Sequence, residues 1–289
     1  MRDFVYHRPA SLDEARRLAL EEGAMLLAGG QTLLRDMKHS RHSPASLVDI
    51  TSVLPSRIEL HGGAITIGAG ATHAEVARSA VLRERLPVLA DLAGHIGDPA
   101  VRHRGTLGGA LAANEPAGDY PAACIALGTT VRTTKREVAA TEFFVGHCRT
   151  VLEPGEIIID VTFPLAPQSA YVKFLNPASR YAMVGVFAAV AQDGSPRIAV
   201  TGARACGAFR WREAETALSA AFVAERLLDV HLSPEGLVED LFADAAYRGH
   251  LVEVLARRAV ALATGPSRGA LVLSHGSQFG TSGRQQLSQ

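Results

Sequence analysis

The chain has 289 residues, of which 47% are hydrophobic and 20% are charged, and this length favours about two domains. The composition excludes a disordered chain, which would have fewer apolar residues and an excess of one charge. The 29 basic and 29 acidic side chains cancel, so the sequence predicts no nucleic-acid partner, because phosphate binding relies on a basic excess.

The N-terminal part of the chain predicts a small lobe over about residues 1–55. Ser11 and Glu14 have the spacing of a capping box, and Gly23 is suited to end the helix that they open. Apolar runs typical of short or buried strands lie at residues 4–6, 24–28 and 46–50. We therefore expect strand, helix and further strands in this lobe.

A second lobe is predicted over residues 56–167. Apolar residues alternate with polar ones on both sides of Gly62-Gly63, which indicates a β-hairpin, and Thr72 with Glu75 forms another capping box. Further helices are expected at 87–96 and 122–127, and further strands at 129–133 and 156–163. Residues 1–167 would then form one domain made of two α/β lobes.

The segment 168–265 differs in character and predicts a C-terminal α+β domain. Strand-like runs lie at 170–175, 182–191 and 197–205. Gln192-Asp193-Gly194 carries a hairpin signal between the last two runs, and helices follow from Trp211. These strands predict a three-stranded antiparallel sheet with helices. Residues 266–289 are rich in Ser, Gly and Gln, and we expect a flexible tail there.

The chain carries no sequence signal for a membrane span or a signal peptide. Its longest nearly uncharged apolar run, residues 181–191, is far shorter than the roughly 20 residues that a membrane helix needs. An acid at Asp3 stands where a signal peptide needs an apolar core. We therefore interpret the protein as cytoplasmic.

Cys124, Cys148 and Cys206 show no CxxC spacing, so we predict neither a metal site nor an Fe–S cluster, and we interpret the three as small buried hydrophobic residues.

Two glycine-rich segments have the chemistry of a phosphate site. They read Leu27-Ala28-Gly29-Gly30-Gln31-Thr32-Leu33-Leu34 and Arg104-Gly105-Thr106-Leu107-Gly108-Gly109-Ala110. A glycine doublet permits positive φ and close backbone approach, so that successive N–H groups can bind one anion, and Thr32 and Thr106 add hydroxyl donors. Neither segment is a P-loop or a GxGxxG motif. Each alone could be a tight turn, but two such loops favour a dinucleotide with two phosphates.

These segments resemble the FAD-binding medium subunit of the molybdenum hydroxylases, the family that includes xanthine dehydrogenase and aerobic carbon monoxide dehydrogenase. The likeness extends from about Tyr6 to about Thr264 in the same order. It is carried by Ala28 to Leu33, by Asp98-Pro99-Ala100-Val101-Arg102, by Arg104 to Gly109, and by Pro116 to Pro121. The resemblance implies an α+β fold in which two small α/β lobes form an FAD-binding domain and a C-terminal domain follows.

The resemblance also implies a set of FAD contacts. The pyrophosphate would be held by the first loop, Ala28, Gly29, Gly30, Gln31, Thr32 and Leu33, and by Thr106, Gly108, Gly109 and Ala110 of the second loop. Ile96, Asp119, Ile158, Lys173 and Tyr181 match family positions elsewhere around the cofactor. The family often has Asn or Ser where this chain has Ala110, and Asp where it has Glu115, so the contacts at these two positions would differ.

Some of these residues also have a purely structural interpretation. Asp119 would accept hydrogen bonds from FAD hydroxyls, or it would be a helix N-cap, or both. Lys173 would lie near the N1–C2=O edge of the flavin and stabilise the negative charge of reduction, or it would be an exposed strand lysine. Ile96 and Ile158 would lie beside the flavin or belong to the core, and Tyr181 would lie near the ring.

The function implied by the resemblance is electron transfer. FAD in this chain would accept electrons from a small [2Fe-2S] subunit and pass them to an external acceptor, while a large molybdopterin subunit oxidises the substrate. The complex would be a dimer of heterotrimers. No residue of this chain would act as a general acid or base, and none would bind a metal. The alternatives are a self-contained flavin oxidase or reductase of related fold, and a scaffold subunit that has lost the flavin.

Overall fold

The computed structural model describes residues 3–265 and 269–274. The first lobe is built on a parallel sheet in the order β1-β3-β2. Its elements are β1 (Val5–His7), α1 (Leu12–Leu18), β2 (Ala24–Leu27), α2 (Leu33–Lys38) and β3 (Ser46–Asp49).

Helix α1 is shorter than the sequence predicts. The Ser11 hydroxyl accepts the N–H of Glu14, as expected for the N-cap, but the helix ends at Leu18 instead of continuing to Gly23. Successive i→i+3 bonds from Leu20 and Glu21 tighten the chain into turns, and Gly23 adopts a φ of +71°. The chain must reverse there to enter β2, and this early turn replaces the last part of the expected helix.

The second lobe packs helices on one face of an antiparallel sheet in the order β4-β5-β10-β6-β7. Its first half contains β4 (Ile58–His61), β5 (Ala64–Gly68), α3 (His73–Arg78), α4 (Ala80–Arg85), α5 (Pro87–Gly94), α6 (Pro99–Arg104), α7 (Leu107–Ala113) and α8 (Asp119–Leu127). Its second half contains β6 (Thr130–Thr133), β7 (Glu137–Ala139), α9 (Ala140–Phe143), β8 (Phe144–Gly146), β9 (Arg149–Thr150) and β10 (Ile158–Pro164). The predicted hairpin and the Thr72 capping box are confirmed.

The C-terminal part forms a further sheet in the order β14-β13-β12-β11-β15. Its elements are β11 (Ser169–Leu175), β12 (Ala182–Val190), β13 (Pro196–Thr201), β14 (Phe209–Arg210), α10 (Arg212–Leu218), α11 (Ala245–Thr264) and β15 (Ala270–Leu273). The three predicted strands are present as an antiparallel unit, but the sheet is larger than the predicted three strands, because β14 and β15 extend its two edges in the described part of the chain.

Strand β15 corrects the expectation of a flexible tail for the residues it contains. It pairs in parallel with β11, so residues 270–273 belong to the C-terminal sheet. Residues 266–268 and 275–289 of the predicted tail lie outside the described residues.

The alternation of side chains along β11 determines how the C-terminal sheet packs on the second lobe. On β11, Val172 contributes to the core that packs on α11, whereas Tyr171 on the other face joins the core of the second lobe. Helix α8, of which every residue is buried, lies between that lobe and strands β12 and β13. Residues on the Tyr171 face of β11 therefore point at the second lobe. No helix within residues 3–265 and 269–274 is both long and apolar enough to cross a bilayer.

Candidate functional site

The first glycine loop joins β2 to α2 and leaves several backbone donors unused. Gly30 adopts a φ of +73°, the left-handed conformation that glycine tolerates best. Within the described residues, the N–H groups of Gly29, Gly30, Gln31 and Thr32 make no hydrogen bond. A run of consecutive free N–H groups on a glycine doublet is suited to bind an anion.

The second glycine loop is engaged with its own lobe. The N–H groups of Leu107 and Gly108 donate to the carbonyl oxygens of Ala71 and Ala69, both at 2.9 Å. Those of Gly109 and Ala110 donate to the side chain and the backbone of Thr106. These four N–H groups are therefore already used and do not face a phosphate as free donors. What this loop can offer to a phosphate is a surface without large side chains and the hydroxyl proton of Thr106, whose oxygen caps α7.

The two loops are in direct contact through glycine. A Cβ placed on Gly29 would lie 2.1 Å from the Arg104 carbonyl oxygen and 2.8 Å from the Cα of Gly105, which no side chain could tolerate. One placed on Gly109 would lie 3.8 Å from the Cβ of Ala28. The fold thus brings the two predicted segments, about 75 residues apart in sequence, to one place.

A buried histidine supports the second loop from behind. The backbone N–H of His73 donates to the backbone carbonyl of Gly105 at 2.9 Å, and a Cβ on Gly105 would lie 2.6 Å from Nε2 of the His73 imidazole. The ring also packs on Tyr120, with 5.4 Å between centroids. Burial, and secondarily the charge of Arg102, lowers the pKa of His73 to about 4, so the imidazole is neutral at physiological pH. Gly105 is therefore held between His73 and Gly29.

Lys173 and Asp119 form a buried ion pair. Lys173 Nζ donates to Oδ2 of Asp119 at 2.9 Å, and the Tyr171 hydroxyl donates to Oδ1 of the same carboxylate. The Lys173 side chain is 1% exposed, so its interpretation as an exposed strand lysine is wrong. The N-cap interpretation of Asp119 is also wrong, because Gly118 occupies the cap and Asp119 is the first residue of α8. Burial, and secondarily Asp119, raises the pKa of Tyr171 well above its ordinary value.

A cleft of about 490 Å³ opens beside this ion pair, between the second lobe and the C-terminal sheet. Lys173 Nζ also donates to the carbonyl oxygen of His95 at 3.4 Å, and His95 lines the cleft next to the half-buried Ile96. The opposite wall is formed by Leu175 and by Val272 of β15. The volume is within the usual range of small-molecule sites, roughly 300–1,000 Å³.

Tyr181 belongs to a cluster that the sequence did not reveal. Its hydroxyl accepts a hydrogen bond from Nη1 of Arg35 at 3.2 Å, and Nη2 of the same guanidinium contacts Glu115 at 2.7 Å. Burial opposes the charge of Arg35, but its hydrogen bonds to Glu115 and Tyr181 raise the pKa further above its ordinary value. Arg35 lies two residues after Leu33, so this cluster adjoins the first glycine loop.

The remaining predicted residues are part of the core or its surroundings. Ile158 is 4% exposed in the core of the second lobe, and Ile96 and Ala110 pack against the same core. Their placement beside a flavin stays a prediction. Cys124 is buried as expected, but the interpretation is wrong for Cys148 and Cys206, which are exposed. Residues 3–265 and 269–274 contain no group of three or more His, Cys, Asp or Glu side chains able to hold a metal ion.

Sequence reasoning missed the contacts of Arg35 and His73, and the hydrogen bond from Tyr171 to Asp119. Alternation along the strand predicts that Tyr171 and Lys173 share one face, but not which residue covers that face. Arg35 and His73 had no usable signal, since their partners are distant in sequence.

A family comparison defines the class of the protein. Residues 2–166 match the family described as "FAD binding domain in molybdopterin dehydrogenase", which is more than half of the chain. The protein is thus an FAD-binding component of an oxidoreductase, and the paired glycine loops lie within the matched region.

Relatives and solved structures narrow the class. The carbon monoxide dehydrogenase medium chain of Hydrogenophaga pseudoflava is 32% identical over 274 residues, 89% of this chain and 96% of the relative. The nicotine 6-hydroxylase medium subunit of Paenarthrobacter nicotinovorans is 32% identical, with 88% and 95% covered. A chain of reconstituted CO dehydrogenase from Oligotropha carboxidovorans superposes with a TM-score of 0.81 at 28% identity, with 90% and 97% covered. This chain belongs to the family of FAD-binding medium subunits of molybdopterin-dependent dehydrogenases, which confirms the resemblance inferred from its glycine loops.

Proposed function

We propose that this chain is the electron-transfer subunit of a molybdenum hydroxylase complex. It accepts electrons from a [2Fe-2S] subunit and passes them to an external acceptor, and a large molybdopterin subunit oxidises the substrate. The proposal is supported by relatives that are named as medium chains or medium subunits of multi-subunit dehydrogenases and hydroxylases. We propose a dimer of heterotrimers as the assembly.

The single observation that carries the proposal is the junction of the two glycine loops. The free N–H groups of Gly29 to Thr32 belong to the loop that packs against the second loop at Gly29. The Thr106 hydroxyl lies next to Gly109, which faces Ala28 across the same junction. A pyrophosphate needs several convergent donors and a close backbone approach, and this junction offers both. Ala28 and Leu33 complete the first loop, and Gly108, Gly109 and Ala110 keep the second free of large side chains.

We propose that the other predicted residues surround the flavin end of the same cofactor. Bound FAD would supply the redox chemistry of the subunit. Ile96 and Ile158 would provide apolar surface, and Tyr181 would contact the ring. Asp119 and Lys173 form an ion pair, so the charge of the lysine is largely offset by its partner. We therefore expect this pair to orient polar groups at the ring edge, with a smaller effect on the flavin potential than an isolated lysine would have.

The proposed function is tested with the purified chain and with the reconstituted complex. We expect about one FAD per chain, released into solution by acid precipitation, because no Cys or His lies within either glycine loop. The chain alone should not turn over a substrate, whereas co-expression with the large and small subunits should give a complex that contains molybdenum and iron. A colourless chain would contradict FAD binding. Full turnover by the chain alone would instead favour a self-contained flavin enzyme.

A further inference from the structure

Three parts of the proposed FAD site meet at one guanidinium group, that of Arg35. Arg35 lies in α2, directly after the first glycine loop. Glu115 follows α7, which the second glycine loop opens, and Tyr181 precedes β12 in the C-terminal sheet. Glu115 and Tyr181 are 80 and 146 positions away from Arg35 in the sequence, so only the tertiary fold brings them together.

Each nitrogen of the guanidinium has a partner of its own. Nη2 contacts Oε1 of Glu115 at 2.7 Å, Nη1 donates to the Tyr181 hydroxyl at 3.2 Å, and Nε contacts Oδ1 of Asp36 at 3.3 Å. A guanidinium is planar and presents its N–H groups in fixed directions, so three contacts define the positions of the three partners relative to one another. A lysine ammonium would hold them less strictly.

We infer that Arg35 is a positioning residue for the FAD site. Through Glu115 it fixes the second glycine loop relative to the first, and through Tyr181 it sets the orientation of the phenol ring next to the flavin. The inference rests on the proposed function, since it concerns the same site. Arg35 is not a catalytic residue, because it acts on the cofactor only through these two side chains.

The chain provides a matched control for this role. Arg41 contacts the same Asp36 carboxylate at 3.4 Å, but it touches neither Glu115 nor Tyr181, and its side chain is 68% exposed. A substitution of Arg41 removes a positive charge from the same carboxylate and leaves both long-range contacts intact. Exposed ion pairs of this kind contribute little to stability. A difference between Arg35 and Arg41 variants therefore reports on the contacts to Glu115 and Tyr181.

The test compares Arg35→Met with Arg41→Met in the full chain loaded with FAD. We expect Arg35→Met to release FAD at least tenfold faster, followed by the rise of free-flavin fluorescence, and to change the visible circular dichroism of the flavin. Arg41→Met should stay within twofold of the unaltered protein in rate and should keep its spectrum. Equal rates and spectra for the two variants would overturn the inference.

A second comparison isolates the contact with Tyr181. Tyr181→Phe removes the hydroxyl that accepts from Arg35, and we expect it to change the flavin spectrum in the Arg41→Met background but not in the Arg35→Met background. If Tyr181→Phe changes the flavin spectrum by the same amount in both backgrounds, the two substitutions are additive, and Arg35 does not act through Tyr181. If Arg35→Met does not fold, Arg35→Lys serves instead. We expect Arg35→Lys to release FAD at least threefold faster than the unaltered protein, and an unchanged rate of release would overturn the inference. An unaltered chain that binds no FAD would be a different outcome and would refute the proposed function itself.

Discussion

At the scale of single residues, the most consequential pair is Lys173 with Asp119. The two side chains are 1% and 6% exposed, so neither charge is solvated, and each depends on the other. The loss of one partner from a buried ion pair is strongly destabilising, by roughly 3–5 kcal/mol, because the remaining charge stays buried without compensation.

We therefore expect Lys173→Met to lower the free energy of unfolding by about 3 kcal/mol, near the low end of that range because the Tyr171 hydroxyl still donates to Asp119. The double variant Lys173→Met/Asp119→Asn should recover part of the loss, since it removes the orphaned charge as well. Urea unfolding of the FAD-free chain measures both. A single variant as stable as the parent would mean that water reaches the carboxylate.

His73 predicts a dependence of stability on pH. Its pKa is about 4 in the folded chain and about 6.5 when unperturbed, so the unfolded state binds a proton first as the pH falls. The free energy of unfolding should therefore decline as the pH falls from about 6.5 to 4, and the total loss at the lower end should be on the order of 3 kcal/mol. Arg102 and the Tyr120 ring are the groups that face this imidazole.

Replacement of the imidazole separates this effect from general acid denaturation. His73→Gln removes the titration, so the slope of unfolding free energy against pH should flatten in this window. His61→Gln, on the exposed outer face of the second-lobe sheet, is the control and should keep the parental slope. Identical slopes for all three proteins would mean that the imidazole of His73 is solvated.

The sequence was more informative about which residues could form this candidate site than about the partners that contact them. The glycine loops were recognisable because a doublet followed by a threonine has a specific physical use. The pairing of Lys173 with Asp119 was not, because 54 residues separate them and alternation on β11 gives only the face of a strand, not what covers it. The contacts of Arg35 and His73 likewise depend on how separate elements pack.

At the scale of elements, the alternating strands and capped helices were predictable, and the errors lie where the chain turns or where a strand is recruited from afar. Helix α1 was predicted too long because its last residues suit a helix but the chain must reverse to reach β2. Strand β15 was missed because four residues in a Ser- and Gly-rich segment have no strand pattern strong enough to stand out, and their partner β11 is about 100 residues earlier.

The contact between the glycine loops makes a prediction at this scale. Gly29→Ala places a Cβ at 2.1 Å from the Arg104 carbonyl, so the loops must separate, and FAD content should fall at least tenfold. Gly249→Ala in α11 is the matched control, because its Cβ would have ordinary contacts of 3.4 Å or more, and it should bind FAD as the parent does. Flavin absorbance per protein measures both. A fully loaded Gly29→Ala would mean that the loop contact is not needed for binding.

At the scale of the whole molecule, β15 connects parts that are far apart in sequence. It pairs with β11, the strand of Lys173, and the N–H of Ala270 contacts Asp91 of α5 at 3.4 Å. Val272 pairs with Lys173 in register and lines the cleft. The last described strand thus joins the C-terminal sheet to the second lobe beside the proposed flavin site.

A chain that ends at Gly265 should therefore be less stable and should hold FAD less tightly than the full chain. The truncation leaves the edge of β11 unpaired and exposes the apolar surface against which Ala270 and Leu273 pack, which should lower the free energy of unfolding by on the order of 3 kcal/mol. A chain that ends at Ser274 keeps β15 and is the control, with stability and FAD affinity close to those of the full chain. Thermal unfolding with and without FAD distinguishes the two. If both truncated chains match the full chain, the edge of β11 does not need β15, and the cleft wall at Val272 has no part in holding the cofactor.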